Sequence, residues 1–418
     1  MATTADAALV RPDRGFVDAI LRSGGGDLKR CFQCATCSVV CELAEGPRPF
    51  PRKEMLWAQW GLKDRLLADP DVWLCHQCND CSTRCPRGAR PGDVLAAIRQ
   101  QAVRHYAAPR FLASWANRVT TLPFVLLVPV ILLGAALLAR DPLTRLLSVG
   151  EENGFYAEFF PHWLLIGFYG LFTGLACVAA LAGLVRFWRA MRAADRAEGA
   201  DPPAVGIVPS VLRTLGAILT HRRFARCQAQ APRRLAHLLA FYGFLALYVV
   251  TIWAVIDLYV NPLFGIEPRY PFGLLHPMKL LANVGGVLLV VGCTKAIVDR
   301  RRNAPGVPTS TAFDWIFAWL LLAVGVTGFA TEVFRFTVDP ASSLVPLAYG
   351  MYLVHLVVVF QLLVYLPYSK FAHLLYRTVA MVYAERTARH RPLPAIASGR
   401  TASLSPEPSR AAVGAGGA

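Results

Sequence analysis

Eight cysteines in two tight groups carry the clearest chemistry in this 418-residue chain. The first group reads Cys31-Phe-Gln-Cys34-Ala-Thr-Cys37-Ser-Val-Val-Cys41, and the second Cys75-His-Gln-Cys78-Asn-Asp-Cys81-Ser-Thr-Arg-Cys85-Pro86. Three thiolates separated by two residues on a tight loop can reach three irons of one 4Fe-4S cubane. The fourth, three residues further on, points towards a neighbouring cluster. The spacing therefore predicts one cluster on Cys31, Cys34, Cys37 and Cys85, and a second on Cys75, Cys78, Cys81 and Cys41. Four ligands drawn from a single motif are the alternative. Structural zinc generally takes two ligand pairs rather than two sets of four. In a reducing compartment such groups mean metal rather than disulfides. Glu42 stands where the ferredoxin pattern has proline after its fourth cysteine. Cys177, Cys227 and Cys293 lie outside the motifs and read as packing residues.

Histidines form the second set. Metal-binding side chains inside membrane spans are rare and point to function, and imidazole is the usual nitrogen ligand of haem iron. His355 and His373 are eighteen residues apart, five turns of continuous helix, or about 27 Å along one face. That stacks two b-type haems, although Pro367 between them can bend the helix. His237, just after Arg233 and Arg234, pairs with His373 for an inner haem. For an outer haem, His276 meets His355, with His162 as competitor. In the single-haem alternative His355 merely hydrogen-bonds a neighbouring helix. His221 reads as a surface or interface histidine rather than a ligand, and His76 as a residue tuning the second cluster. Lys279, nearly one turn after His276, could neutralise a reduced quinone oxygen, or else snorkel to the headgroups. Glu332 is a weaker candidate for proton exchange.

The elements that must position these residues follow from composition. The chain is 55% hydrophobic and 17% charged, and the apolar excess falls in six runs of membrane-spanning length: 121–139, 163–187, 235–260, 276–298, 313–334 and 345–366. Short helices are expected at Arg14 to Leu21, at Arg52 to Ala68 with Met55, Leu56, Trp60, Leu66 and Leu67 as the apolar side, and at Asp93 to Tyr106. The fold class is all-α: a small helical double 4Fe-4S domain (1–110), a six-span bundle carrying haem b (111–390) and a disordered tail (391–418).

The net charge of +16 is not a sign of nucleic-acid binding, because the basic residues cluster in loops. With the cysteine domain inside, the inner segments 186–234 and 295–302 carry fourteen Lys and Arg. The outer loops carry four, Arg140, Arg145, Arg269 and Arg335. Residues 1–30 contain no apolar core of secretory length, so the cysteine domain and both termini are expected in the cytoplasm of a bacterial inner membrane. The chain has no Gly-rich dinucleotide fingerprint and no nucleophile triad, so substrate chemistry other than quinone oxidation or reduction falls to partners.

The first 110 residues resemble the small iron–sulfur C subunit of heterodisulfide reductase. Residues 120–390 resemble the haem b membrane subunit of respiratory nitrate reductase and the membrane subunit of membrane-bound heterodisulfide reductase. The pieces that carry this are Arg234-Leu-Ala-His237-Leu-Leu-Ala-Phe-Tyr-Gly-Phe and His355 through Pro367-Tyr-Ser-Lys-Phe-Ala-His373. Leu247 stands where the nitrate reductase subunit has a second haem-helix histidine. Both halves in one chain resemble the C subunit of quinone-interacting membrane-bound oxidoreductases. The resemblance implies two flavoprotein partners of the heterodisulfide reductase A type, and exchange with adenylylsulfate reductase. The alternatives are a heterodisulfide-reductase-like or sulfite-reductase-linked complex, or a membrane anchor without haem.

Overall fold

A computed structural model describes residues 12–46, 48–140, 155–199, 203–221, 231–303, 307–339 and 342–389. It contains helices and no strand among these residues, as the all-α expectation required. The small helices are α1 (Arg14–Arg22), α2 (Thr36–Val39), α3 (Arg52–Gln59), α4 (Lys63–Ala68), α5 (Asp71–Leu74), α6 (Asp80–Thr83), α7 (Pro91–Tyr106) and α8 (Arg110–Trp115). Beyond them come α9 (Leu122–Arg140), α10 (Phe155–Phe159), α11 (His162–Ala197), α12 (Ile207–Thr220), α13 (Ala231–Val255), α14 (Pro277–Arg301), α15 (Ala312–Thr337), α16 (Val345–Val364) and α17 (His373–Arg386). Six of these are long and apolar enough to cross a bilayer: Leu122–Ala139, His162–Ala197, Arg234–Phe264, Pro277–Arg301, Ala312–Thr337 and Val345–Val364. This is a multi-pass membrane protein. The expected tail at 391–418, Cys227 and His390 lie outside the described residues.

Three elements differ from the sequence expectation. The helix expected over Arg52 to Ala68 is two helices, because Gly61 takes φ +65°. The carbonyl of Gly61 accepts from the Asp13 amide at 2.9 Å, and a Cβ there would stand 2.7 Å from the Asp13 carbonyl. Met55, Leu66 and Leu67 are buried as expected, whereas Trp60 beside the break is 56% exposed. Secondly, the arginine-rich loop contains α12, whose Ser210 and Thr214 are buried while Val208 and Leu212 face outward. Alternation of small polar and large apolar residues at helical spacing was the available signal. Thirdly, the last span does not run on to His373. It ends at Val364, and two short 3-10 turns, Leu366–Tyr368 and Lys370–Ala372, intervene before α17. Pro367 cannot donate to a continuing helix, so the eighteen-residue phase does not carry across.

The cysteine region and the bundle share one core. Phe187 and Met191 of α11 and Tyr376 and Tyr383 of α17 are buried with Phe16, Leu28, Met55 and Trp73. Trp73 stacks on Tyr376 at 5.2 Å and 17°. Charge reinforces the joint. Lys53 pairs with Glu54, Asp69 and Asp71 at 2.9–3.4 Å, while Arg389 reaches Asp69, Asp71 and Asp195. Arg389 thereby ties the small helices to both α11 and the end of α17. Burial and the carboxylate of Asp69 hold Glu54 well above the usual carboxylate range.

Within the bundle, α13 and α14 approach backbone to backbone. A Cβ on Gly243 would stand 2.5 Å from the Leu289 nitrogen, and one on Gly292 2.5 Å from the Ala240 nitrogen. Small residues permit such close crossings in lipid. Replacing Gly292 with Leu is expected to cost about 3 kcal/mol by forcing these helices apart. Gly174→Leu, on the open face of α11 with nothing within 4 Å, is expected to cost close to nothing. Thermal unfolding in detergent should show a lower Tm for the first variant only.

Candidate redox centres

The two cysteine loops have the same backbone. Gln33 and Ala35 in the first, and Gln77 and Asn79 in the second, all take positive φ between 54° and 68°. These residues occupy matching places between the cysteines. Left-handed conformations are unfavourable for side-chain-bearing residues and persist only where the surroundings impose them. Here they curl each loop so that its thiols converge, and α2 and α6 then open on the third cysteine of each motif. Backbone N–H groups support the sulfurs: Gln77 donates to Cys75 Sγ and Ala89 to Cys85 Sγ, each at 3.3 Å. Gln59 donates to the Cys31 carbonyl at 2.9 Å, and Gln33 donates to Gln59 at 3.2 Å.

The structure brings Cys31, Cys34, Cys37 and Cys85 around one small cavity flanked by Arg52 and Arg87. Cys41 lies within electrostatic reach of Cys75 and Cys78, and Cys81 of Cys75, Cys78 and Cys41. Each fourth cysteine therefore sits with the opposite motif. Burial pushes the Cys37 thiol up to about 11 and Cys41 up to about 12, so an apolar setting opposes the bare thiolate and a bound cation would favour it. Four sulfurs lining one cavity, with amides aimed at them, are a donor set that fits an iron–sulfur cubane.

His373 is shaped as a ligand. Its Nδ1–H donates to the Lys370 carbonyl at 2.7 Å, which leaves Nε2 with a free lone pair, the usual outer bond of a metal-binding histidine. Burial pushes this imidazole down to about 3, so the ring is neutral, the form that binds iron. His237 is close enough for its charge to bear on His373. It also lies 5.4 Å, ring to ring, from His221, which places that histidine at a helix contact beside this group. His105 makes an edge contact with Tyr106, and its carbonyl accepts from Arg110 at 3.1 Å. Lys370 forms an ion pair with Asp314 of α15. A cavity of about 50 Å³ lies beside it, lined among others by Gln77 of the second cysteine loop, Trp73, Asp314, Lys370 and His373. Arg377, one turn beyond His373, donates to the Cys75 carbonyl at 2.7 Å and to His76 Nδ1 at 2.8 Å.

The far end of the bundle is arranged differently. His355 bonds Thr327 at 2.9 Å. Lys279 pairs with Glu332 at 2.9 Å, and Thr327 lies five residues inward of Glu332 on the same helix. His276, three residues outward of Lys279, is therefore about 12 Å further out than His355. His276 caps α14, accepting from the Met278 amide at 3.2 Å, and stacks on Phe272 at 4.4 Å. His162 is similarly outward: Tyr169, seven residues further in, reaches the Leu356 carbonyl at 2.6 Å. The structure does not bring either histidine level with His355, because each begins its own span while His355 lies ten residues inside another. Lys279 does not snorkel away. It is held between Glu332 and the ring of Phe336.

The chain belongs to the citrate utilization protein B family, whose model matches residues 116–395, and the 4Fe-4S dicluster domain matches residues 27–89. The Citrate utilization protein B of Escherichia coli is 29% identical over 323 residues, covering 74% of this chain and 80% of that protein. The C subunit of the H(2):CoB-CoM heterodisulfide,ferredoxin reductase of Methanothermobacter marburgensis is 36% identical over 92 residues, 22% of this chain and 50% of that protein. A protein of Archaeoglobus profundus that is like the heterodisulfide reductase C subunit is 34% identical over 96 residues, covering 23% and 51%. This chain thus spans about half the length of these iron–sulfur relatives. No solved structure matches it. An iron–sulfur electron-transfer domain related to the heterodisulfide reductase C subunit is joined here to a citrate utilization protein B membrane region.

Proposed function

We propose that this chain is the membrane redox subunit of a quinone-dependent oxidoreductase complex. It would hold two 4Fe-4S clusters and b-type haem and link soluble flavoprotein partners to the quinone pool. The observation that carries the reading is the shared cavity: Gln77, between two cysteines of the second loop, and His373 line the same small space. When bound, the clusters and haem supply one-electron chemistry. Cys31, Cys34, Cys37 and Cys85 would hold one cluster, Cys75, Cys78, Cys81 and Cys41 the other, and His237 with His373 the inner haem. The Lys370 carbonyl orients His373, and Asp314 balances the Lys370 charge beside it. His355, whose ring nitrogen meets Thr327, is the candidate for a second haem. The fourteen-to-four charge bias supports a cytoplasmic cysteine domain in a bacterial inner membrane. Reduced-minus-oxidised spectra of the purified chain test the reading: a b-type signal that quinol can reduce supports it, and its absence leaves a membrane anchor.

Lys279 is the proposed quinone contact. Its ammonium, paired with Glu332, can neutralise or protonate a reduced quinone oxygen, and Glu332 is the candidate to return that proton to Lys279. Lys279→Ala is expected to slow quinol–haem exchange several-fold with haem spectra and iron content intact. Unchanged kinetics at full cofactor occupancy would move the site elsewhere. We propose soluble partners of two kinds, flavoproteins of the heterodisulfide reductase A type and adenylylsulfate reductase. The Escherichia coli relative covers 74% of the chain, and its name favours a second reading in which the partner serves citrate utilization. Co-purification of the complex separates the two.

A further inference from the structure

The second cysteine loop is gripped by two arginines, and they come from different halves of the molecule. Arg99 of α7 donates to the Val72 carbonyl and to Gln77 Oε1, both at 2.9 Å. Arg377 comes from α17, beyond the last span, and donates to the Cys75 carbonyl and to His76. The first loop is tied differently. Its backbone is held by Gln33 and Gln59 from the cysteine region itself. Arg52 and Arg87 line the first cavity, so both loops have cations nearby, but it is the second that an arginine from beyond the last span bonds.

Resting on the proposed function, we infer that Arg377 is a positioning residue that raises the reduction potential of the second cluster and locks its loop to the helix bearing His373. Three observations meet here. His373 and Arg377 are four residues apart, so both project from one face of α17. Trp73, two residues before Cys75, stacks on Tyr376 of the same helix, which keeps the loop and α17 in one register. The guanidinium is charged at every physiological pH and makes two directed bonds at once. One bond goes to the carbonyl of a cysteine that would carry iron. The other occupies His76 Nδ1, so the ring proton of neutral His76 sits on Nε2.

The consequence is electrostatic. Reducing a cluster adds one negative charge, and a fixed positive charge within hydrogen-bond reach of its ligand loop favours the reduced form. Cluster potentials respond to net charge, hydrogen bonding and exposure. Arg377 thereby raises the potential of the second cluster and ties its loop to α17. The first cluster, beside the exposed Phe32 and Arg87, faces outward.

The test is an EPR-monitored redox titration of the full chain in detergent, with iron and sulfide assayed on the same samples. The second cluster is identified by the signal that Cys78→Ser removes. Arg377→Met and Arg377→Gln are expected to lower the midpoint potential of the second cluster while the first stays where it is. Arg377→Lys, which keeps the charge but not the paired bonds, should recover part of the shift. If Arg377→Met strips the second cluster, Arg377→Gln, which keeps a donor, provides the reading. An unshifted second cluster in the neutral variants at full iron content overturns the inference. So does a common shift of both clusters, or loss of the second cluster from all three variants. A wild-type chain without iron and sulfide would instead sink the proposed function, and this inference with it.

Discussion

His237→Ala and His373→Ala are each expected to abolish the same b-type component in reduced-minus-oxidised spectra, leaving the iron–sulfur signals in place. A haem held by two imidazoles loses its low-spin spectrum when either ligand is removed. His373 is the more demanding position. It is half-buried, its Nδ1 is committed to the Lys370 carbonyl, and the break at 365–372 presets its orientation. A His373→Ala protein that keeps the full b-type signal would transfer the ligand role to another imidazole, and His221, 5.4 Å from His237, is the first to examine. His355→Ala separates one haem from two. Loss of a second spectral component supports an outer haem. An unchanged spectrum identifies the His355–Thr327 bond as a helix–helix contact.

Crossed cysteine substitutions should produce crossed losses. Wild-type iron and acid-labile sulfide are expected near eight each per chain, the content of two cubanes. Cys41→Ser should damage the cluster held mainly by Cys75, Cys78 and Cys81, and Cys85→Ser the one held by Cys31, Cys34 and Cys37. The geometry behind this is the cavity that Cys85 shares with the first motif, and the reach of Cys41 to Cys75 and Cys78. EPR of the reduced variants reads the result directly. If each serine removed the cluster of its own motif, the ligand sets would be local and the arrangement of the two loops would need another explanation.

Much of this was legible in the chain because it is encoded over short distances. Two-residue gaps between cysteines force a tight loop whatever surrounds it, and twenty apolar residues in a row can only be buried in a bilayer or a large core. The six spans and the small helices were therefore readable, with errors at their ends. The helix break at Gly61 was less legible, since it depends on a backbone contact with Asp13 forty-eight residues earlier. The amphipathic α12 was hidden by the arginines around it.

Depth and pairing were decided elsewhere. Histidine spacing along one helix could not reveal that Pro367 and the turns after Val364 reset the phase. Nor could it show that His276 and His162 begin their spans while His355 lies well inside another. Lys279 looked available as a lone lysine until Glu332, on a different helix, was placed beside it. Arg377 meets Cys75 across 302 residues of sequence, and no local pattern of charge or hydropathy records such a pair. By itself the sequence determined which atoms can bind metal and which segments enter the membrane, because thiolate spacing and apolar length act locally. The tertiary structure alone decided which cysteine loop faces the histidines and which cations face the loops, because those contacts depend on how helices far apart in the chain pack against one another.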